Sequence, residues 1–247
     1  MILKYNAMPV PQKIRCRVER ILDHGDHVYT VDLIPERKVP QFRSGQFLHL
    51  ALDEYDPSRF WPESRVFSIA SSPSQRDRLR ISYSVRGRFT ARMERELELN
   101  RWVWVKLPYG EFVIDGAKDV VLFAGGTGIT AFVAFLDGLT SNFPNNVSLI
   151  YGARNSNLLI YLDLFQQRVQ TFPQFHIFCF VEHSNDEDPV PNAFLGYLSV
   201  APVWSKIENH LEANYYLSGP PEMLKVISRE LIERSISKES IKIDAWE

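Results

Sequence analysis

The chain has 247 residues, of which 45% are hydrophobic and 23% are charged, and its formal net charge is −2. This balance is typical of a globular protein with one large or two small domains, and it argues against a nucleic-acid or anionic-membrane partner. The two cysteines, Cys16 and Cys179, fit neither a disulfide framework nor a cysteine-ligated metal site, and the first residues lack the apolar core of a signal peptide. We therefore expect a cytoplasmic protein without a metal site.

The first half of the chain has the pattern of short strands separated by turns. The predicted strands are residues 13–22, 27–34, 46–52, 66–70, 79–85 and 102–107. Many short strands at this spacing favour a barrel or a sandwich. The hairpin after the first strand carries His24 and His27 beside Asp23 and Asp26. It is interpreted as a polar hairpin tip rather than a metal site.

From about residue 117 onward, strands alternate with helices. The predicted strands are residues 120–123, 147–151, 175–181, 215–217 and 241–243, and the predicted helices are residues 129–139, 158–169, 200–213 and 221–233. This alternation predicts a doubly wound parallel sheet with helices on both faces. Asp115-Gly116 is the expected boundary, so the predicted domains are residues 1–115 and 116–247. The acidic stretch at residues 182–188 is interpreted as a solvated loop, or as a contact for a basic partner.

The apolar run from Val120 to Leu136 begins this second half. Asp119 and Asp137 close the run before the roughly 20 apolar residues that a membrane span needs, and three glycines interrupt it. No membrane span is therefore predicted. The run is better explained as a short buried strand, a tight glycine turn and a buried helix, which together form the front half of a βαβ unit.

The turn within this run fits the spacing G-x-G-x-x-G/A, in the segment GTGITA from Gly126 to Ala131. Glycines permit close backbone approach, and the following helix offers free N–H groups and a positive dipole end to a pyrophosphate. A close-packed structural turn would give the same pattern, so that alternative stays open. The usual acidic ribose-binding residue about 20 positions later is missing. Arg154 stands near there and is able to meet a phosphate or simply to cap a strand end.

Five segments, in order, resemble the ferredoxin–NADP reductase superfamily of flavin-dependent NAD(P)H oxidoreductases. SGQFLHL resembles its Pro-Gly-Gln-aromatic strand, RVFSIASSP its Arg-x-Tyr/Phe-Ser flavin motif, and RGRFT its Gly-x-x-Ser/Thr flavin-phosphate turn. GGTGITA resembles Gly-Gly-Thr-Gly-Ile-Thr-Pro, and LSGPPEM resembles Cys-Gly-Pro-Pro-x-Met. The resemblance covers nearly the whole chain. It implies an N-terminal antiparallel six-stranded Greek-key barrel that binds flavin, followed by the NAD(P)H-binding α/β domain.

The resemblance also implies the residues of a flavin site. Arg65 would contact the flavin pyrophosphate, and Phe67, next to Val66, would lie against the isoalloxazine ring. Ser68 would hydrogen-bond flavin N5, the atom that accepts hydride. The turn formed by Gly87, Arg88, Phe89 and Thr90 would hold the flavin phosphate. The structural alternatives are a surface salt bridge for the arginine, barrel core for the phenylalanine, an ordinary strand serine and a simple hairpin turn.

A second group of residues would bind the nicotinamide dinucleotide. The implied set is Gly126, Thr127, Gly128, Ile129, Arg154, Gly219 and Pro220. Two departures from the family stand nearby: Ser218 replaces the cysteine before Gly-Pro-Pro, and Ala131 replaces a proline. Near the C-terminus, Trp246 would stack on the flavin, or alternatively pack into the core, and Asp244 would lie near an acidic position that relays protons. The expected catalytic set is therefore Ser68, Ser218, Asp244 and Trp246.

The function implied by the resemblance is hydride transfer from NADPH or NADH to bound FAD, with FMN possible. The flavin would then pass electrons to a small acceptor such as free flavin, a ferric complex or a quinone. One alternative is the reductase component of a multiprotein oxygenase or electron-transfer system that feeds a separate iron–sulfur or haem protein. The other is a non-catalytic flavin- or nucleotide-binding redox sensor or scaffold. The sequence leaves the acceptor open.

Overall fold

The computed structural model describes residues 9–183 and 190–244, and its first half is an antiparallel barrel. The strands are β1 (Gln12–Asp23), β2 (Val28–Pro35), β3 (Phe47–Ala51), β4 (Ser64–Ser68), β5 (Leu79–Ser84) and β6 (Trp102–Tyr109). They pair in the order β4-β3-β6-β1-β2-β5, and the edge strands β4 and β5 lie next to each other, so the sheet is nearly closed. Alternate residues of β1, Ile14, Cys16 and Val18, are fully buried inside it. The predicted six-stranded barrel is confirmed.

One helix of this half was not expected from the sequence. The segment predicted as a phosphate turn begins helix α1 (Arg88–Glu96), which follows Gly87. The helix is mostly charged, so the sequence shows no apolar run. Phe89 and Met93, four residues apart, are its buried side chains, and both join the barrel core. This pair of side chains therefore anchors the short helix to the barrel core.

The second half is a parallel sheet with helices between its strands. The elements are β7 (Val120–Gly125), α2 (Thr130–Asp137), β8 (Val147–Ala153), α3 (Leu162–Thr171), β9 (Phe175–Val181), β10 (Phe194–Leu195), β11 (Asn214–Ser218), α4 (Pro221–Glu233) and β12 (Ile241–Asp244). The strand order is β10-β9-β8-β7-β11-β12. The direction of winding therefore reverses between β7 and β11, which is where such sheets bind ligands beyond the carboxyl ends of their strands.

The helix predicted over residues 200–213 is wrong. This segment consists of turns and one short 3-10 helix, Trp204–Lys206. Val200, Val203 and Ile207 still pack into the core on the same face as α4. Their spacing imitates that of a helix, but Pro202 disfavours the helical conformation of the residue before it. Spacing alone could not separate the two structures.

The two halves meet along a seam that contains both apolar and polar contacts. Val28, Ala70 and Ile114 from the barrel half join the core formed by α2, α3 and one face of the parallel sheet. Asp115-Gly116, our proposed domain boundary, lies between the two sheets. Among residues 9–183 and 190–244, no helix has the length and apolar character that crossing a membrane requires.

Candidate functional site

A cavity of about 460 Å³ opens at the seam, and we call it the first cavity. The barrel contributes β4, the end of β5 and the start of α1, and the parallel sheet contributes the loops after β7 and β11. Its walls are Arg65, Val66, Phe67, Ser68, Ser82, Tyr83, Ser84, Arg86, Gly87, Arg88, Phe89, Thr90, Gly125, Thr127, Gly128, Thr130, Ser218, Gly219, Pro220 and Pro221. The cavity therefore lies at the switch point of the parallel sheet, against the barrel.

The charged side chains that line this cavity are all cationic. Arg65, Arg86 and Arg88 contribute to its walls, and no aspartate or glutamate among residues 9–183 and 190–244 does. Arg65 and Arg88 share one carboxylate just outside, that of Glu63, at 3.5 and 3.7 Å, so positive charge remains in excess. The N-terminus of α1 adds backbone N–H groups, and a Cβ built on Gly87 would meet nothing within 4 Å. This wall suits a pyrophosphate group.

Beside the arginines lies an aromatic wall. The rings of Phe67 and Tyr83 meet at an angle of 62°, with 6.1 Å between their centroids, and Phe89 lies below the guanidinium of Arg65. Burial raises the pKa of Tyr83, so its phenol stays protonated at neutral pH. An apolar wall next to a cationic one can hold a flat ring system that carries a phosphate chain.

The deep end of the cavity is rich in hydroxyl groups. Ser68, Ser82, Thr130 and Ser218 all line it, and each is at least nine-tenths buried. Ser218 donates a hydrogen bond of 3.0 Å to the carboxylate of Asp244, its partner across β11 and β12. A Cβ on Gly128 would lie 2.4 Å from the carbonyl oxygen of Ser218, so only glycine lets these two loops pack together.

A second cavity of about 470 Å³ adjoins the first and shares part of its wall. The shared residues are Ser84, Arg86, Gly125, Thr127 and Pro220. Arg154 lines the second cavity, but its guanidinium lies 3.8 Å from the carboxylate of Asp26 on the barrel. Glu182 and Glu222 also line it, and the ring of Tyr197 stands 80% exposed at its wall. Gly126 contributes a positive φ of 53° and open space around its α-carbon.

Comparisons with known proteins agree with this geometry. Residues 122–229 match the oxidoreductase NAD-binding domain family. The fold over 95% of the chain is similar to that of the Amycolatopsis cytochrome P450 reductase GcoB, with a TM-score of 0.80 and 21% identity over 69% of that chain. The flavohaem-like FAD/NAD-binding domain of a nitric oxide dioxygenase from Vibrio cholerae gives a TM-score of 0.79 at 16% identity, covering 94% of this chain and 98% of that one.

Residues 122–229 therefore match an oxidoreductase NAD-binding domain, and the chain as a whole has the fold of these reductases. Among curated relatives, the reductase component DmpP of a Pseudomonas phenol 2-monooxygenase is 26% identical over 93% of this chain and 64% of its own length. The NAD(P)H-flavin reductase of Vibrio harveyi is also 26% identical, over 94% of this chain and 98% of its own length. The chain spans between 41% and 65% of the length of five of the curated relatives, and DmpP is one of these five.

The superfamily motifs converge in space to different degrees. The first cavity brings together Arg65, Val66, Phe67, Ser68, Gly87, Arg88, Phe89, Thr90, Thr127, Gly128, Ser218, Gly219 and Pro220. Gly126 and Arg154 lie at the second cavity instead. Ile129 is fully buried and lines neither cavity, and Asp244 accepts a hydrogen bond from Ser218, which lines the first cavity. Trp246 lies outside the described residues, as do residues 184–188 of the acidic stretch.

Several lining residues escaped the sequence reasoning. Arg86 is the first residue of the RGRFT segment, but only Gly87 to Thr90 of that segment were predicted to bind the phosphate. Glu182 was grouped with a solvated loop, although it directly follows β9 at the carboxyl edge of the sheet, where ligands bind. Tyr83 and Tyr197 carried no motif, and only the folded chain places them at the cavities.

Proposed function

We propose that the protein is an FAD-dependent oxidoreductase that takes electrons from a nicotinamide dinucleotide and passes them to an acceptor. One observation carries this proposal: a cavity whose described lining has three arginines and no carboxylate meets the glycine turn of the NAD-binding domain. FAD, when bound, would supply the conversion between two-electron and one-electron chemistry. FMN is the alternative flavin. Two free, buried cysteines are consistent with the cytoplasm, where we expect the protein to work.

The residues have separate tasks in this proposal. Arg65, Arg86 and Arg88, with the N-terminus of α1, would hold the flavin pyrophosphate, and Phe67 would pack against the ring system. The loop from Gly125 to Gly128 would hold the pyrophosphate of the nicotinamide dinucleotide. The buried hydroxyls of Ser68 and Ser218 would hydrogen-bond polar ring atoms and keep water out of the deep end.

We propose NADH rather than NADPH as the preferred donor. Glu182 and Glu222 line the second cavity, and their carboxylates would repel the additional phosphate of NADPH. Arg154, the cation that favours NADPH in sequence, lies near Asp26, and Asn155 also donates a hydrogen bond of 3.1 Å to that carboxylate. Part of the charge of Arg154 is therefore already balanced by the barrel.

The electron acceptor divides the proposal into two forms. Similarity to a phenol 2-monooxygenase reductase component favours transfer to a separate redox protein, and similarity over nearly the full length of a flavin reductase favours a small acceptor. A flavin that dissociates during turnover would favour the second form. A non-catalytic sensor or scaffold is the remaining alternative, because Ser218 stands where the family commonly has cysteine.

An anaerobic titration tests the proposal directly. The FAD-reconstituted protein is titrated with NADH and separately with NADPH, and the visible flavin absorbance is followed. We expect bleaching by both, with NADH effective at the lower concentration. Bound flavin that neither donor reduces would contradict the oxidoreductase and favour the sensor. Failure to bind flavin would contradict the assignment of the first cavity.

A further inference from the structure

A chain of hydrogen-bonded side chains crosses the seam behind the deep end of the first cavity. The hydroxyls of Tyr161 and Ser82 lie 2.6 Å apart, and those of Ser82 and Thr30 are also 2.6 Å apart. Thr30 in turn lies 2.9 Å from Nε2 of His24. We call these four residues the hydroxyl chain. Thr30 and Ser82 face each other across β2 and β5, so the register of these two strands fixes the middle of the hydroxyl chain.

The two ends of the hydroxyl chain lie in different surroundings. Ser82 lines the first cavity, whereas His24 is partly exposed in the hairpin between β1 and β2. Between them, the hydroxyl of Thr30 is shielded, since this residue is only 2% exposed. The described residues therefore provide a continuous hydrogen-bonded connection from the cavity, through the barrel wall, to solvent.

The proposed reaction gives such a connection a task. A hydride carries two electrons and one proton into the cavity. When an acceptor then takes both electrons and no proton, one proton must leave in each turnover. We propose that Ser82, Thr30 and His24 form a relay that carries this proton from the first cavity to solvent. This inference rests on the proposed function.

Each step of the relay balances. A proton bonds to Oγ of Ser82 while the hydrogen of that hydroxyl moves to Oγ1 of Thr30. The hydrogen of Thr30 moves to Nε2 of His24, and the proton on Nδ1 of the ring leaves to water. Ser82 and Thr30 finish with one hydrogen each, and rotation of the two hydroxyls and exchange of the ring proton restore the starting arrangement.

The charges around the hydroxyl chain favour proton transfer from Ser82 towards His24. Burial lowers the pKa of His24, and nearby Asp23 opposes that shift only in part, so the ring is neutral at pH 7 and can accept a proton. Burial also raises the pKa of Tyr161, so the phenol remains protonated and acts as a fixed partner of Ser82. The other charged groups that face the hydroxyl chain are Arg80 and Asp32, which pair with each other beside Tyr161.

Thr30→Val and Thr30→Ser make the sharpest pair of variants, because valine keeps the shape and loses the hydroxyl, whereas serine keeps the hydroxyl. The FAD-loaded protein is reduced by NADH and then mixed with ferricyanide, which takes electrons only. Flavin reoxidation and proton release to an indicator dye are recorded in H2O and in D2O. We expect Thr30→Val to slow both by roughly tenfold or more, and Thr30→Ser to restore them. Ser148→Ala, another buried hydroxyl outside both cavities, serves as the control and should behave as the wild type.

A measurement without flavin tests the connection itself. In the FAD-free protein, the Nε2 resonance of His24 should shift in Thr30→Val and stay in place in Thr30→Ser. Normal reduction by NADH, with proton release unchanged in Thr30→Val, would overturn the relay and leave the proposed function intact. Equal slowing of reduction and reoxidation would indicate a structural role and also overturn it. If NADH does not reduce the flavin bound to the wild-type protein, the proposed function is contradicted, and so is this inference.

Discussion

The two cavities share a wall but differ in the charge of the side chains that line them. Within the described part of the chain, the first is lined by three arginines and no carboxylate, whereas the second is lined by two arginines and two glutamates. The two halves of the chain differ in the same sense: residues 1–115 have 19 lysines and arginines against 15 acidic residues, and residues 116–247 have 9 against 15. In the proposed function, the barrel would hold an anion with side-chain charge. The parallel sheet would offer backbone N–H groups and a helix end, and its carboxylates would limit the negative charge of the ligand.

Gly128→Ala should produce the largest effect, and it should act mainly on flavin reduction, although Gly128 also lines the first cavity. The new Cβ would lie 2.4 Å from the carbonyl oxygen of Ser218, so the loops after β7 and β11 would have to separate. We expect the rate of flavin reduction by NADH to fall by about 100-fold, because misplaced reactants lose that much. Flavin affinity should change little. Stopped-flow absorbance measures the first, and fluorescence quenching measures the second.

Gly138→Ala is the matched control, since a Cβ there makes only ordinary contacts at 3.5 Å. It should reduce flavin at the wild-type rate. Loss of flavin binding in Gly128→Ala would contradict the proposal that the cationic wall of the first cavity provides most of the flavin affinity.

Arg65→Ala tests the cationic wall of the first cavity. Loss of a charge-assisted hydrogen bond of about 1.5–3 kcal/mol should raise the dissociation constant of FAD by about 10- to 100-fold. Arg78→Ala removes the same charge from an exposed pair with Glu19, outside both cavities, and should leave FAD binding unchanged. Equal weakening by both variants would mean that net charge, rather than the wall, attracts the flavin.

Glu182→Gln tests the acidic side of the second cavity. Removing one carboxylate should improve use of NADPH relative to NADH by about fivefold, because a like charge in a partly exposed site costs about 1 kcal/mol. The ratio of kcat/KM values for the two donors measures the change. Glu233→Gln, on the exposed side of α4, is the control. An unchanged ratio would place the additional phosphate away from Glu182.

The smallest effect should come from His27→Gln, which loosens α1 from the β1–β2 hairpin. A hydrogen bond of 2.7 Å to Glu94 raises the pKa of His27, so the folded state favours the protonated ring. Its contribution to stability is present below about pH 6.5 and is lost as pH rises through the folded pKa. Urea midpoints of wild type and variant should therefore differ slightly near pH 5 and coincide near pH 9. A larger difference at high pH would contradict this account.

Sequence reasoning identified the elements whose residues repeat a simple pattern. The strand of residues 175–181 and the helix of residues 221–233 have the predicted bounds, and the barrel strands shift by a few residues at their ends. Helix α1 was missed because Phe89 and Met93 are its only buried residues. The segment at residues 200–213 was misassigned because buried turns can space apolar residues as a helix does.

The candidate site was predictable where glycines or a charged residue stand in a fixed spacing. Arg65, Gly87 and Gly128 come together as their motifs indicate. Glu182 and the hydroxyl chain could not be predicted, because their positions depend on how β9 ends and on which side chains meet across the seam. Such contacts join residues far apart in sequence, and local patterns carry no information about them.

The shared wall has a thermodynamic consequence. Arg86 and the loop after β7 face both cavities, so a ligand that orders them in one cavity lowers the conformational entropy that the other ligand must lose. Linkage then requires the effect to be reciprocal: the factor by which bound flavin tightens dinucleotide binding equals the factor by which dinucleotide tightens flavin binding. In the proposed function, the residence time of the flavin would therefore depend on the concentration of nicotinamide dinucleotide.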